Sequence, residues 1–152
     1  MLNLAITGFG RIGRITLRTI RKNYPKKARV VAINTSGSMD VAGWAHLFKY
    51  DSVYGTWPEE VLVLPPRQSA EIGRIKIGKD QYPVLAQRDP GKIAWKDYKT
   101  ETVLECTGAF LDKKAEKHFL GGAKKVILSA PPKDDSIPVS YTHLTLPTKR
   151  IV

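Results

Sequence analysis

The 152-residue chain holds one cysteine, Cys106, which excludes an internal disulfide and any site built on several thiolates. Its three histidines, His46, His118 and His143, are scattered and form no zinc-ligand pattern with it. No apolar run approaches the roughly 18 residues of a membrane helix. The opening MLNLAITGFGRIGR has no basic segment ahead of its short apolar stretch, so it reads as a first strand and not as a secretory leader. A lone thiol without a leader fits a reducing cytoplasm. The most telling absence is acid. No Asp or Glu precedes Asp40, although residues 1–39 carry eight basic side chains: Arg11, Arg14, Arg18, Arg21, Lys22, Lys26, Lys27 and Arg29.

What remains is ordinary for a globular chain, at 42% hydrophobic and 26% charged residues, and bounds it to one domain or one domain with an appendage. The net charge of +11 has two readings, a lysine-rich solvated surface or a polyanionic partner. No aromatic-interleaved basic motif and no zinc-finger spacing accompanies the charge. A phosphorylated small molecule is therefore favoured over nucleic acid.

The stretch TGFGRIGRITLRTIRKN places Gly8, Gly10 and Gly13 in a G-x-G-x-x-G pattern. LNLAIT before it reads as a buried strand. After it, Ile12, Ile15, Thr16, Thr19 and Ile20 share one side of a helix, with Arg11, Arg14, Arg18, Arg21 and Lys22 on a solvated side. The helix should end near Tyr24-Pro25, and RVVAIN is a second strand. Strand, glycine turn, helix, strand is the unit in which such glycines cradle a dinucleotide. Gly8 allows the tight turn, Gly10 the approach of a pyrophosphate, and Gly13 close packing of helix on sheet. The alternative is a glycine turn with no ligand.

DVAGWAHLFKYD predicts a helix capped by Asp40. From Tyr54 to Lys99 short alternating runs (VLVLPP, a hairpin over IKIGKDQYPV, KIAWKDY) predict an antiparallel insertion. TETVLECTG then reads as a strand. DKKAEKHFLGGA reads as a helix from Asp112 stopped by Gly121, and KKVILSAPP as another buried strand. The fold class is α/β: a Rossmann-type, doubly wound, mostly parallel sheet with helices on both faces and a small antiparallel insertion. Ligands of such sheets bind at the carboxyl ends of the strands. Here those ends are Asn34-Thr35-Ser36, Glu105-Cys106-Thr107-Gly108 and Ser129-Ala130-Pro131.

Six blocks, AITGFGRIGR, VAIN, HLFKYDSVYG, AQRDPGKIAW, VLECTGAF and KKVILSAP, stand in an order and spacing that resembles phosphorylating glyceraldehyde-3-phosphate dehydrogenase. The resemblance is to its N-terminal, coenzyme-binding domain and covers residues 1–138. It implies that Gly8, Gly10, Arg11, Ile12 and Gly13 hold the pyrophosphate of NAD or NADP. Asn34 and Thr35 would sit at the adenosine ribose and Arg88 near the adenine. Thr107, Gly108 and Phe110 would line the approach to the nicotinamide ribose, with Ser129 and Ala130 across from them. It also implies the family's chemistry, in which a thiolate attacks an aldehyde, hydride passes to the nicotinamide and phosphate releases the thioester in glycolysis. The full-length family is homotetrameric and needs no membrane.

The chain departs from that pattern at Thr7, where the family usually has Asn, and at Thr35, where NAD-specific members have Asp. The Ser-x-Cys-Thr-Thr motif of the family nucleophile is not found. Cys106 stands where the family commonly has Ser and reads as a small buried thiol, so no catalytic residue and no metal ligand is assigned. The segment VSYTHLTLPTKRIV, residues 139–152, leaves the family pattern and reads either as foreign sequence or as a tail packing as an edge strand. The reading is a coenzyme-binding half that is inactive alone. A stand-alone NAD(P)-binding module, an erythrose-4-phosphate dehydrogenase fragment and a basic nucleic-acid binder remain as alternatives. The missing acid at Thr35 predicts tolerance of NADP. A carboxylate there would repel a 2′-phosphate, whereas Thr35 and Ser36 offer hydroxyls.

Overall fold

The structure is a computed structural model and describes residues 1–138. Strand β1 (Leu2–Thr7) leads through the glycine turn into α1 (Arg11–Asn23) and then β2 (Ala28–Asn34). Helix α2 (Val41–Lys49) follows, then a two-stranded ribbon of β3 (Tyr50–Asp51) and β4 (Gly55–Thr56). An antiparallel run comes next: β5 (Val61–Leu64), β6 (Glu71–Ile77) and β7 (Asp80–Leu85). Two 3-10 segments, Pro90–Lys92 and Trp95–Tyr98, precede β8 (Thr102–Glu105), and a third, Lys113–Gly121, precedes β9 (Lys125–Leu128).

Seven strands form one sheet in the order β5-β6-β7-β2-β1-β8-β9. The pairs β7–β2, β2–β1, β1–β8 and β8–β9 are parallel. The chain moves from β1 to β2 on one side and returns to β8 on the other. The strand order therefore reverses at β1, and a crevice opens beyond its carboxyl end. The expected antiparallel insertion is present and extends this same sheet at one edge.

Each face of the sheet carries its own core, as the two-residue alternation of strands dictates. Leu4, Ile6 and Ile33 pack with Leu17 and Ile20 of α1 and with Val41, Trp44 and Phe48 of α2. Ala5, Ala32 and Val103 pack on the opposite face with Ile93, Trp95, Tyr98 and Ala123. That second face is covered by 3-10 segments, where KIAWKDY was expected to be strand-like and DKKAEKHFLGGA an α-helix. The helix stop is also one residue later than expected. Gly122 takes the left-handed C-cap with φ of 101°. Gly121 is needed for contact, since a Cβ there would lie 1.9 Å from the Ile93 carbonyl oxygen. Among the described residues β9 lies at the edge of the sheet, with Ile127 exposed, and is not a buried strand.

The face assigned to α1 also needs correction. Ile12 is 51% exposed, while Leu17, Ile20, Gly13 and Arg18 are buried. Arg18, placed on the solvated side by the period, is only 6% exposed. Its guanidinium donates to the carbonyls of Phe48 (2.6 Å), Gly55 (3.0 Å) and Lys49 (3.3 Å). It also lies 5.5 Å from the ring centres of Phe48 and Trp57. Carbonyl dipoles and aromatic faces replace water around this cation. The result ties α1 to the ribbon that follows α2.

Candidate functional site

The carboxyl ends of β2, β1 and β8 border a cleft of about 470 Å³. Its walls are the glycine turn (Gly8, Phe9, Gly10), the end of β2 (Thr35, Ser36), Trp44 of α2, the segment after β7 (Gln87, Arg88) and the end of β8 (Cys106, Thr107, Ala109, Phe110). A larger cleft of about 980 Å³ lies elsewhere, against Leu17, Arg21, Val30 and Tyr82. It shares no residue with the glycine turn, and four of the charges lining it are already paired, Arg21 with Glu59 and Asp80, and Arg74 with buried Glu71. The smaller cleft is the one at the strand switch.

The three motif glycines are required for different reasons. Gly8 has φ of 89°, and a Cβ on it would lie 2.6 Å from the Thr107 amide nitrogen. A Cβ on Gly13 would lie 2.0 Å from the Gly8 carbonyl oxygen. A Cβ on Gly10 would meet no atom within 4 Å, and its φ of −72° suits any residue. The protein's own packing therefore does not demand Gly10. Gly10 is also the N-cap of α1, no side chain caps that helix, and its first turn holds no acid. The helix thus presents free N–H groups and its positive dipole end at the cleft. Phe9, stacked on Phe48 at 6.4 Å, and the Arg14 guanidinium, donating to the Phe9 carbonyl at 3.0 Å, fix the turn from behind.

At the end of β2, Asn34 spends its side chain on the protein. Its amide donates to Thr7 Oγ1 (3.0 Å) and the Gln87 carbonyl (2.8 Å), and its oxygen accepts from the Gln87 amide (2.9 Å). Thr7 thus takes a structural hydrogen bond. Thr35 is 2% exposed, and its hydroxyl donates to the Leu85 carbonyl at 3.0 Å. The expectation that Thr35 offers a hydroxyl proton to a phosphate is corrected accordingly. The exposed side chains at this wall are Ser36, whose hydroxyl donates to Ser38 Oγ at 2.9 Å, and Arg88, whose Nε donates to the Ser36 carbonyl at 3.3 Å.

At the end of β8, Glu105 and His118 are both 0% exposed. His118 Nε2 meets Glu105 Oε2 at 2.8 Å, and Trp95 Nε1 donates to His118 Nδ1 at 3.0 Å. Glu105 Oε1 accepts from the Thr107 amide at 2.9 Å and from the Thr107 hydroxyl. Thr107 Oγ1 accepts from the Ala109 amide at 3.1 Å. Gly108, with φ of 71°, completes the turn. The Cys106 thiol is half-buried. Burial pushes its pKa up, the Glu105 charge adds to that, and a hydrogen bond with Ser129 only partly opposes it. Its environment disfavours the thiolate, and buried His118 is committed to Trp95 and Glu105.

Of the residues assigned from sequence, the cleft brings together Gly8, Gly10, Thr35, Arg88, Thr107 and Phe110. Arg11 and Ile12 are exposed at the start of α1, and Gly13 is buried one turn in. Asn34 and Gly108 adjoin the lining residues, as Ser129 and Ala130 adjoin the end of β9. Among the described residues no group of His, Cys, Asp and Glu could hold a metal ion, and no helix is long and apolar enough to cross a membrane.

A sequence model described as "Glyceraldehyde 3-phosphate dehydrogenase, NAD binding domain" matches residues 2–113. The chain belongs to the glyceraldehyde-3-phosphate dehydrogenase family. Glyceraldehyde-3-phosphate dehydrogenase 1 of Streptomyces arenae is 42% identical over 139 residues, 91% of this chain and 39% of that protein. The enzyme of Pseudomonas aeruginosa is 44% identical over 142 residues, 92% of this chain and 40% of that protein. The enzyme of Thermotoga maritima is 43% identical over 140 residues, 91% of this chain and 39% of that protein. The chain thus spans about two fifths of the length of these dehydrogenases, and the part it carries is the family's NAD-binding domain. Sequence reasoning missed Trp44, Gln87 and the buried group behind Thr107. Glu105, His118 and Trp95 lie 13 and 23 residues apart, with no local signal to join them.

Proposed function

We propose that this chain is the coenzyme-binding part of an NAD(P)-dependent, phosphorylating glyceraldehyde-3-phosphate dehydrogenase of the cytoplasm. Residues 1–138 are its binding unit, and it works within a homotetramer when joined to the catalytic part. The observation that carries the reading is Gly10. The fold itself does not require a glycine there, yet it stands between two glycines that the fold does require, at an uncapped helix end. A pyrophosphate passing over Gly10 and accepting N–H bonds from the start of α1 accounts for both facts. Bound there, the coenzyme supplies the hydride acceptor. Thr35, Ser36 and Arg88 border its adenosine end, and Thr107, Gly108 and Phe110 the nicotinamide end. Ser129 and Ala130 adjoin that end. The nucleophile lies outside residues 1–138, because the Cys106 thiol is held protonated by burial and lacks a base. The chain alone is therefore inactive toward glyceraldehyde 3-phosphate.

The same site tolerates NADP. A carboxylate at position 35 could not donate to the Leu85 carbonyl, would turn toward the cleft, and would repel a 2′-phosphate. Thr35 removes that charge, and the exposed Arg88 guanidinium stands within the same wall as a charged donor. Isothermal titration of NAD and NADP into the chain and into Thr35→Asp tests both statements. The expected result is binding of both coenzymes by the parent. The substitution should weaken NADP at least about tenfold relative to NAD, roughly 1.4 kcal/mol. A parent that binds neither overturns the assignment. A parent preferring NAD by more than that factor, with the gap unchanged in Thr35→Asp, overturns the NADP reading alone.

A further inference from the structure

We propose that the buried group Trp95–His118–Glu105 is a directional hydrogen-bond relay that holds Thr107 as an acceptor facing the cleft. It thereby sets affinity for the sugar at the nicotinamide end of the coenzyme. The inference rests on the dinucleotide reading of the cleft and adds to it three residues that touch no ligand.

The direction follows from donor chemistry. An indole nitrogen can only donate. Trp95 Nε1 points at His118 Nδ1 at 3.0 Å, so Nδ1 accepts and the ring proton sits on Nε2. His118 Nε2–H then donates to Glu105 Oε2 at 2.8 Å. The other carboxylate oxygen takes two donors from one residue, the Thr107 amide at 2.9 Å and the Thr107 hydroxyl. With its proton turned inward, Thr107 Oγ1 has only lone pairs left. One accepts from the Ala109 amide at 3.1 Å, and the other is free on a residue that lines the cleft. Such a group binds a hydroxyl that donates, as a ribose does, and has no proton for a carbonyl or a phosphate oxygen.

Glu105 is the junction, and only a carboxylate serves there. It faces N–H and O–H donors from Thr107 on one side and an N–H donor from His118 on the other. A glutamine has one acceptor oxygen and one donor nitrogen. Whichever way it lies, a donor meets a donor, unless His118 shifts its proton to Nδ1 and collides with Trp95 N–H. Glu105, His118 and Trp95 are all 0% exposed, so water cannot repair a mismatch between them, and the exposed Thr107 is the member that must turn. The relay also joins three parts of the second core. Trp95 sits in a 3-10 segment, His118 in another, and Glu105 ends the strand that pairs with β1. Thr107 is therefore positioned by residues that the coenzyme never reaches.

The test has a ligand-free arm and a ligand arm on the 152-residue chain. Long-range nitrogen–proton NMR of His118, with His46 and His143 replaced by Gln, reads the tautomer directly. The expected state is the Nε2–H form, and a predominant Nδ1–H form overturns the relay whatever the chain binds. In the ligand arm, NAD and ADP are titrated into the parent, Glu105→Gln and Trp95→Phe, because ADP carries the adenosine end but no nicotinamide ribose. Glu105→Gln should weaken NAD about tenfold while ADP changes less than about twofold. Trp95→Phe, which frees the tautomer but keeps Glu105, should show mixed tautomers and a smaller loss confined to NAD. Equal losses of NAD and ADP would mean general collapse of the cleft and would overturn the proposal, as would unchanged NAD affinity in Glu105→Gln. If Glu105→Gln fails to fold, Trp95→Phe decides by the same comparison. A parent that binds neither nucleotide, yet shows the Nε2–H tautomer, removes the dinucleotide reading and with it the ligand role, while leaving the relay's direction standing.

Discussion

At the scale of the residue, the glycine turn and Arg18 show what a local pattern can and cannot reveal. Gly8, Gly10 and Gly13 were legible because their spacing is the local signature of a strand-turn-helix unit, in which Gly13 packs on the Gly8 carbonyl. Arg18 was not, because its carbonyl partners lie 30 to 37 residues away and the helical period alone placed it in water. Arg18→Met should destabilise the chain by about 2–4 kcal/mol, since it leaves buried carbonyls without a donor. Arg11→Met, at an exposed position on the same helix, should stay within about 0.5 kcal/mol. Urea denaturation of both variants checks this, and equal effects would contradict the burial of Arg18. Thr35 carries the same lesson. Its identity was readable as a departure from the family, but the commitment of its hydroxyl to Leu85, 50 residues on, was not.

At the scale of the element, α1, α2 and the β6–β7 hairpin follow from period, caps and turns close in sequence. Asp40 caps α2 by accepting from the Gly43 amide at 2.8 Å, as its position indicated. The 3-10 segments were misread because their form is set by what they cover. Trp95 and Ile93 must reach the second core, and Gly121 must pass against Ile93. Gly121→Ala should therefore cost at least about 2 kcal/mol despite adding one methyl, as a thermal melt would show. The start of β6 carries a pH signature. Burial pushes the Glu71 carboxyl up, but hydrogen bonds from Arg74 and from the Arg67 and Gln68 backbone outweigh it and hold its pKa below the ordinary 4.5. A carboxyl lowered on folding contributes stability that is complete above pH 4.5 and is lost as pH falls through the folded value. Arg74→Leu should cost about 3 kcal/mol at neutral pH, because it leaves the Glu71 carboxylate buried without its partner. The cost should shrink in acid, as the carboxyl protonates. A cost independent of pH would contradict this account.

At the scale of the whole molecule, the sheet reverses its strand order at β1 and so places three strand ends around one cleft. Sequence order alone indicated this topology, because strand, helix and strand units recur on both sides of the antiparallel run. That the run continues the main sheet, and that β9 lies at the edge of the sheet among the described residues, depends on pairings far apart in sequence. Among the described residues, two cores form, one on each face of the sheet, and the reading of residues 139–152 lies outside the described residues. Truncation after Pro138 should shift the melting temperature by less than about 3 °C, equivalent to under roughly 1 kcal/mol. A larger fall would extend the folding unit beyond that point. The central claim is that the open end of α1, over Gly10, receives the phosphates of a dinucleotide. The most direct test is NAD titration of Gly10→Ala beside the parent, with a thermal melt of each. A methyl that touches no protein atom should leave stability within about 1 kcal/mol. Occupying the phosphate's path, it should weaken NAD at least about tenfold. Unchanged NAD affinity in a folded Gly10→Ala variant would contradict the account.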